Sequence, residues 1–385
     1  MMTQKNRPFT FDEMIGQKGI IGEMRKRSKT LDFPEVMIFE GHSGSGKTTL
    51  AYIIAAILND PNPIINKDGS KSPNMDSIST KRIRSESFNR DTKLYDASSM
   101  SKADVQDLKH KLALPAMIDD NKVVIIDEAQ ELSKSGKGAV LELLEHKRKG
   151  TYIILCTMAI ESFDKAVRGR AHVYKFRSPN PGVIAEYLFK LSKEFELPET
   201  PEVEEFFTKG IFSIAENSEG SIRMAIQNFE RCMYGEFYTE SQIEREFSII
   251  SNDKLSDLIQ KLANKDPSCI KDIKSFGAKD FFYKALKTLN STYLYLVTGY
   301  IDQSWKKQLA ERLRGKNIEF ILQKFLEVDS GVYFKEDLFF YNLATILKKA
   351  PEIKKPTRVR VPRIKLDEQE NSKNSFEGIF NAKNV

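Results

Sequence analysis

Short apolar runs alternate along the chain with longer segments whose apolar residues recur at helical spacing. Residues 36–58, VMIFEGHSGSGKTTLAYIIAAIL, predict a buried strand, a glycine-rich turn and a helix. Val123 to Ile126 and Tyr152 to Cys156 are further apolar runs of strand length. Since helical stretches separate these runs, we expect an α/β fold in which helices cover a parallel sheet and ligands bind at the carboxyl ends of the strands.

The segments that follow the predicted sheet indicate further domains. Residues 1–180 contain the strands, residues 181–248 are predicted to form a small helical lid, and residues 249–350 a third, all-helical domain rich in aromatic residues. Residues 351–385 combine basic, proline and polar residues without helical periodicity, which is typical of a flexible tail. Residues 60–89 contain few apolar residues, and we expect them to form a surface loop.

Composition narrows the class of protein. Of the 385 residues, 40% are hydrophobic, which is more than one core of ordinary size needs. The formal net charge of +6 permits a polyanionic partner without requiring one. Cys156, Cys232 and Cys269 form no CxxC pair, so neither a disulfide framework nor a cysteine zinc site is predicted. Because no run approaches the ~18 apolar residues that span a bilayer, we expect a soluble cytoplasmic protein with no membrane partner.

The glycine-rich turn carries the pattern GxxxxGKT between the predicted strand and the predicted helix. Glycines allow backbone amides to surround phosphates at a helix N-terminus, while the lysine ammonium neutralises the outer phosphates and the threonine hydroxyl binds Mg²⁺. This strand–loop–helix context predicts a nucleotide phosphate site. The residues expected to hold the nucleotide here are Gly41, Ser43, Gly44, Ser45, Gly46, Lys47, Thr48 and Thr49.

Polar side chains end the other two predicted strands. Asp127 is expected to bind Mg²⁺ together with Thr48, and Glu128 to polarise the water that attacks the terminal phosphate. Taken alone, the two carboxylates could equally be solvated groups at a strand end. Thr157 could hydrogen-bond the same water or the terminal phosphate, or be an ordinary threonine at a strand end.

Two arginines are candidates to complete the site. Arg170, in KAVRGRAHVYKF, follows the third predicted strand and could project to the edge of its domain to serve a neighbouring subunit's nucleotide. Arg223 lies early in the helix of GSIRMAIQ and could reach a nucleotide held between the sheet and the helical lid. Taken singly, each fits a surface arginine, and only the order of all these features along the chain favours the functional interpretation.

In that order the sequence resembles an AAA+ ATPase, and within this superfamily the ATP-hydrolysing subunits of bacterial gamma-type or phage sliding-clamp loaders. The resemblance covers roughly residues 5–235. NRPFTFDEMIGQ resembles the family's N-terminal segment near the adenine, GHSGSGKT its Walker A motif, and IIDEAQELS its Walker B motif. ILCTM stands at sensor 1, GSIRMAI places Arg223 at sensor 2, and Arg170 falls on the arginine finger that acts in trans.

The chain departs from the family pattern at three places. Gly169-Arg170-Ala171 replaces the usual Ser-Arg-Cys, and Cys156 replaces the small residue before Thr157. Bacterial loaders carry a four-cysteine zinc module where this chain has residues 60–89, which contain no cysteine. The resemblance therefore implies ATP and Mg²⁺ as cofactors and a replacement for the module without zinc, more suggestive of a viral or divergent loader.

The resemblance also implies a mechanism and partners. Subunits would assemble as a ring or spiral, a pentamer in the family, through the C-terminal helical collar. ATP would favour a form that opens the sliding clamp, and primer–template DNA would trigger hydrolysis and release of the closed clamp. DNA would be held through its phosphates, for which Lys102, Lys134 and Lys137 are candidates. The alternative for these lysines is a solvated helix face.

Other functions remain open at this point. Another AAA+ motor, such as a branch-migration helicase or a protein remodeller, carries the same motifs, but such a helicase is expected to end in a winged-helix domain. A structural loader subunit without ATP turnover is disfavoured by the intact Lys47, Thr48, Asp127 and Glu128. The tail ends in NSFEGIFNAKNV, whose spacing weakly resembles peptides that dock on sliding clamps, although a solvated linker describes it as well.

Overall fold

The computed structural model describes residues 2–100, 104, 108, 112, 114–146, 148–247, 250–299, 304–328 and 335–349. The candidate Lys102 and the basic tail therefore lie outside the described residues. The chain divides into two compact units, Met1–Ser251 and Asn252–Val385. The finer division of the first unit at residues 180 and 181 stays a prediction.

A parallel sheet of five strands forms the centre of the first unit, in the order β4-β5-β6-β1-β7. A separate antiparallel ribbon pairs β2 with β3. The predicted α/β fold is confirmed. The strands are β1 (Val36–Glu40), β2 (Ile64–Ile65), β3 (Lys71–Ser72), β4 (Thr92–Asp96), β5 (Lys122–Asp127), β6 (Thr151–Thr157) and β7 (His172–Lys175).

Helices cover the sheet and form the remainder of the first unit. The short helix α1 (Met2–Lys5) packs against the helix at Ile222–Gly235, with Met2 buried in the same core. The helices associated with the sheet are α2 (Lys18–Thr30), α3 (Lys47–Asn59), α4 (Ile78–Arg84), α5 (Lys134–His146) and α6 (Lys165–Gly169). The lid helices are α7 (Pro181–Ser192), α8 (Pro201–Glu205), α9 (Ile211–Asn217), α10 (Ile222–Gly235) and α11 (Glu240–Glu246), with a π-helical turn at Phe206–Gly210 between α8 and α9.

The apolar runs of the central strands reflect burial on both sheet faces. Along β6, Ile154 and Cys156 pack into the core beneath α2 and α3, while Ile153 and Leu155 pack into the core beneath α5. Successive side chains of a strand point to opposite faces, so a strand covered on both sides is apolar at every position. This pattern made the central strands recognisable in the sequence.

The two edge strands, β4 and β7, were not predicted from the sequence. In β7 only Tyr174 is buried, and in β4 Leu94 and Tyr95 are both half-buried. An edge strand pairs with only one neighbour and keeps polar side chains toward solvent. Neither strand therefore contains a run of apolar residues that would have distinguished it from a loop.

The prediction of a surface loop at residues 60–89 was wrong. This segment forms the β2–β3 ribbon and α4, and Ile83 of α4 is buried in the same core as α3. The buried carboxylate of Asp60 organises it by accepting hydrogen bonds from the amides of Asn62 (3.0 Å) and Asn74 (2.5 Å) and from the hydroxyl of Thr80 (3.1 Å). A polar centre gives no signal in a hydrophobicity pattern, which explains the error.

Side-chain caps fix where the lid helices begin. The Asn180 side chain accepts from the amide of Val183 at the start of α7, and the Ser221 hydroxyl accepts from the amide of Met224 at the start of α10. These bonds satisfy amides that have no partner within the helix. Phe206 and Phe229 are fully buried between the helices.

The described part of the second unit consists of helices. An aromatic cluster of Phe281, Phe282, Phe325 and Phe339 forms its core, with neighbouring ring centroids 5.5–6.3 Å apart. Among the described residues of the whole chain, no helix is long and apolar enough to cross a membrane. The helices of this unit are α12 (Asn252–Ala263), α13 (Cys269–Phe276), α14 (Ala278–Thr298), α15 (Ser304–Arg312), α16 (Ile318–Leu326) and α17 (Glu336–Lys349).

A buried carboxylate also fixes the turn that leads into β5. Asp91 is 2% exposed, and its Oδ2 accepts from the amides of Met117 (2.9 Å), Ile118 (2.6 Å) and Asp119 (3.1 Å). Burial alone would raise the pKa of Asp91, but these amides and nearby Lys122 lower it below its ordinary value. The ionised carboxylate therefore stabilises the fold.

We expect Asp91→Ala to lower the free energy of unfolding at pH 7 by about 1–3 kcal/mol, because it leaves amide donors unpaired. Because the folded pKa lies below the unfolded value near ~3.9, this stabilisation is present above that pH and is lost as the pH falls toward the folded value. The difference between parent and variant in urea unfolding should shrink accordingly in acid. Asp120→Ala, at an exposed neighbour, is the control; equal midpoints for parent and Asp91→Ala at pH 7 would contradict the assignment.

Candidate functional site

The glycine-rich loop joins β1 to α3 at the carboxyl edge of the sheet. The amide of Gly41 donates to the carbonyl of Thr157 (3.0 Å), which ties the start of the loop to the end of β6. The strand order places β1 between β6 and β7, with β5 on the far side of β6. Loop residues and the polar residues that end β5 and β6 are therefore collected at one edge.

Two positions of the loop require glycine, because atoms of neighbouring residues lie too close for a side chain. A Cβ atom at Gly41 would lie 2.7 Å from the carbonyl oxygen of Phe176, and one at Gly44 would lie 2.2 Å from the hydroxyl of Ser221. Gly44 also has φ +76°, which side chains disfavour. The Ile222 amide donates to the Gly44 carbonyl (3.2 Å), so the bare loop backbone contacts the start of lid helix α10 directly.

Lys47 is held inside the loop that precedes it. Its ammonium donates to the carbonyls of Gly41 (2.8 Å) and His42 (3.0 Å), and the residue is only 6% exposed. Burial lowers the pKa of Lys47 below its ordinary value, against the opposing influence of Asp127 and Glu128. An ammonium has three protons, so one remains for an anion beside the loop.

The first turn of α3 meets the end of β5 through one short contact. The Thr48 hydroxyl donates to Oδ2 of Asp127 at 2.7 Å, and Oδ1 of Asp127 accepts from the amide of Glu128 at 3.0 Å. A hydroxyl and a carboxylate are hard oxygen ligands that suit Mg²⁺. Among the described residues no group of three His, Cys, Asp or Glu side chains could hold a metal. The pair supplies two such oxygen atoms at one point of the site.

Glu128, Gln130 and Thr157 form a hydrogen-bonded chain beside this pair. The Gln130 amide nitrogen donates to Oε2 of Glu128 at 2.6 Å. The Gln130 amide oxygen accepts from the hydroxyl of Thr157 at 2.9 Å and from the amide of Met158 at 3.1 Å. Gln130 was not among the residues predicted from the sequence, because nothing in DEAQ indicates that β6 ends beside it.

A cavity of about 360 Å³ opens at this edge between the sheet, the N-terminal segment and lid helix α10. Lys47, Thr48, Asp127 and Arg223 line its charged part, and Pro8, Met14, Ile15, Ile222 and Ile226 line an apolar part. Phosphates suit the first part and a flat base the second. The volume lies in the range of small-molecule sites.

The structure brings most of the candidate nucleotide residues to this cavity. Those that line it are Ser43, Gly44, Gly46, Lys47, Thr48, Thr49, Asp127, Glu128 and Arg223. Gly41 and Ser45 do not line it, and the buried Ser45 hydroxyl has no hydrogen-bond partner among the described residues. Thr157 is fully buried, and Gln130 links it to Glu128 by hydrogen bonds. The catalytic roles of these residues stay predictions.

The remaining candidates lie away from the cavity. Arg170, which follows α6, has a side chain 46% exposed and is paired with Glu145 of α5 at 2.9 Å. Lys134 is exposed at the start of α5, and the Lys137 ammonium stands 5.7 Å from the centre of the Phe163 ring. Their predicted roles need a second subunit or DNA.

Two residues that line the cavity, Arg7 and Glu86, were missed as well. The Arg7 guanidinium lies 4.2 Å from the centre of the Tyr52 ring and 2.6 Å from the carboxylate of Glu86. The nitrogen Nε of Arg7 also donates to the hydroxyl of Thr49 at 3.5 Å. Arg7 belongs to the segment NRPFTF that the resemblance places near the adenine, whereas Glu86 comes from residues 60–89 and carried no sequence signal.

Comparisons with known proteins agree with the motif analysis. Residues 16–180 match the family model described as DNA polymerase III, delta subunit. The chain is 23% identical over 376 residues to the DNA polymerase III subunit gamma of Buchnera aphidicola subsp. Baizongia pistaciae, covering 94% of both chains. Protein STICHEL-like 2 of Arabidopsis thaliana is 27% identical over 269 residues, which cover 69% of this chain and 30% of that protein.

The chain thus spans less than a third of the STICHEL-like relative but nearly all of the gamma subunit. Among solved structures, the RuvB Holliday junction branch migration motor of Thermotoga maritima is similar at 15% identity with a TM-score of 0.46, covering 73% of this chain and 91% of that one. This structural likeness is too low to carry an argument about function. The sequence matches confirm the resemblance to clamp-loader ATPase subunits of the AAA+ superfamily.

Proposed function

We propose that this chain is an ATP-hydrolysing subunit of a sliding-clamp loader, which uses ATP to open a clamp and release it on primer–template DNA. The observation that carries the proposal is the contact between Thr48 and Asp127, which joins the glycine-rich loop to the carboxylates of β5 beside the cavity. The sequence matches a gamma subunit and the delta family of DNA polymerase III. These matches favour clamp loading as the process that uses the ATPase site.

The residues divide the chemistry of phosphate cleavage among them. Lys47 neutralises the outer phosphates, and Thr48 and Asp127 hold Mg²⁺, which offsets phosphate charge when it is bound. Glu128 accepts a proton from the attacking water. Arg223 projects from lid helix α10 into the same cavity, so nucleotide binding draws the lid toward the sheet. The apolar wall formed by Met14 and Ile226 accepts the base.

In this proposal Arg170 is the arginine finger that completes the nucleotide site of the neighbouring subunit. It lies outside its own cavity with a half-exposed side chain, as a residue that acts across an interface requires. The ion pair with Glu145 holds it on its own domain until a neighbour's phosphates compete for the guanidinium. Ring or spiral assembly through the helical second unit, as a pentamer, belongs to the same proposal.

Surface features support the proposed partners. Leu114, Met117 and Ile118 are more than half exposed on the turn that Asp91 anchors, and such an ordered apolar patch suits a protein partner, here the clamp. Lys134 and Lys137 are candidates to contact DNA phosphates. The helical character of the described second unit favours a loader over a helicase with a winged-helix domain.

The direct test is an ATPase assay with and without the cognate clamp and primer–template DNA. We expect turnover to rise most when clamp and DNA are present together, because only a loader couples hydrolysis to both. Lys47→Ala should abolish turnover under every condition. Activity of Lys47→Ala equal to that of the parent, or a parent that responds to neither partner, would contradict the proposal.

Arg170→Ala should reduce the stimulated turnover by about 10³-fold or more while ATP binding stays nearly intact, since an arginine finger stabilises the transition state rather than the bound nucleotide. Lys165→Ala, at an exposed site on the short helix α6 that precedes Arg170, is the control. An equimolar mixture of Arg170→Ala and Lys47→Ala proteins should regain activity, because each supplies what the other lacks across an interface. Full activity of Arg170→Ala alone would refute the assignment.

A further inference from the structure

Gln130 occupies the short 3₁₀ turn Ala129–Glu131, directly after Glu128. Its side-chain amide makes three hydrogen bonds, one to Glu128 and two to the end of β6 at Thr157 and Met158. These bonds connect the turn after β5 to the end of β6, and Gln130 and Thr157 are 27 positions apart in the sequence. No other described side chain bonds to both Glu128 and Thr157.

The donors and acceptors of this network are fixed by chemistry. The Met158 amide can only donate, so it must face the oxygen of the Gln130 amide, and the nitrogen must then face the carboxylate of Glu128. The Thr157 hydroxyl accepts from the amide of Ala159 at 3.1 Å and gives its single proton to Gln130. Each polar atom therefore has one role, and the amide cannot flip without losing its bonds.

The network constrains Glu128, a residue whose backbone conformation is already unfavourable. Glu128 has φ +47°, a left-handed backbone conformation that residues other than glycine rarely adopt. Gln130 holds one of the two oxygens of the Glu128 carboxylate, Oε2. Glu128 also lines the cavity, together with Lys47 and Asp127.

We propose that Gln130 is a positioning residue for hydrolysis: it orients Glu128 and couples that carboxylate to Thr157 at the end of β6. This inference rests on the proposed ATPase function. Thr157 is fully buried and gives its single hydroxyl proton to Gln130, so the Gln130 amide is fixed against the end of β6. The end of β6 thereby holds the carboxylate that activates water in one orientation.

Gln130→Leu and Gln130→His test the proposal in the full-length chain. Leucine removes every polar bond, and kcat should fall by up to about 10²-fold, the scale of a 1 Å misplacement of a reacting group, while KM and ATP affinity stay within a factor of ~2. A neutral histidine keeps one donor and one acceptor and should restore much of the loss. Glu131→Ala, exposed on the same turn, should match the parent.

A double-mutant cycle separates positioning from a structural role. In a Glu128→Ala background, Gln130→Leu should cause no further loss in single-turnover hydrolysis, because the residue acts through the missing carboxylate. Additive losses, or a rise of KM and ATP dissociation constant that matches the fall of kcat, would overturn the inference. If the parent shows no turnover that depends on Lys47, the proposed function itself is contradicted. If the parent is active and Gln130→Leu has the same kcat, only the inference about Gln130 is contradicted.

Discussion

One hydrogen bond, from the Thr48 hydroxyl to the Asp127 carboxylate, determines how the site is built. It joins residues that are 79 positions apart and fixes the first turn of α3 against the end of β5. The sheet makes this contact possible because β1 and β5 both pair with β6 and end at the same edge. The loop, the carboxylates and the cavity are all arranged around that contact.

The phosphate loop and the central strands could be predicted because their signals are local. Glycine at position 41 and the apolar run from Tyr152 to Cys156 in β6 are required by contacts that leave a direct mark on the sequence. Gln130 and Glu86 could not be found in this way. Each matters only because the fold places it beside residues from another strand or helix, and a single polar residue in a turn has many explanations.

Residues 60–89 illustrate a second limit of sequence analysis. Low hydrophobicity predicted a loop, yet the buried carboxylate of Asp60 organises the segment through hydrogen bonds from two amides and a hydroxyl. Through Glu86 the segment also reaches Arg7 at the cavity edge. Polar networks of this kind stabilise a fold only when every member is paired, and pairing is a property of the three-dimensional structure.

The central claim is that Thr48 and Asp127 hold a divalent ion shared with a nucleotide. The most direct test is to measure the affinity for ATP by calorimetric titration of the parent and of Thr48→Val, once with Mg²⁺ present and once with a chelator that removes it. We predict that Mg²⁺ strengthens ATP binding to the parent but has little effect on the variant, while the two proteins bind ATP alike without the ion. Equal strengthening by Mg²⁺ in both proteins would contradict the account.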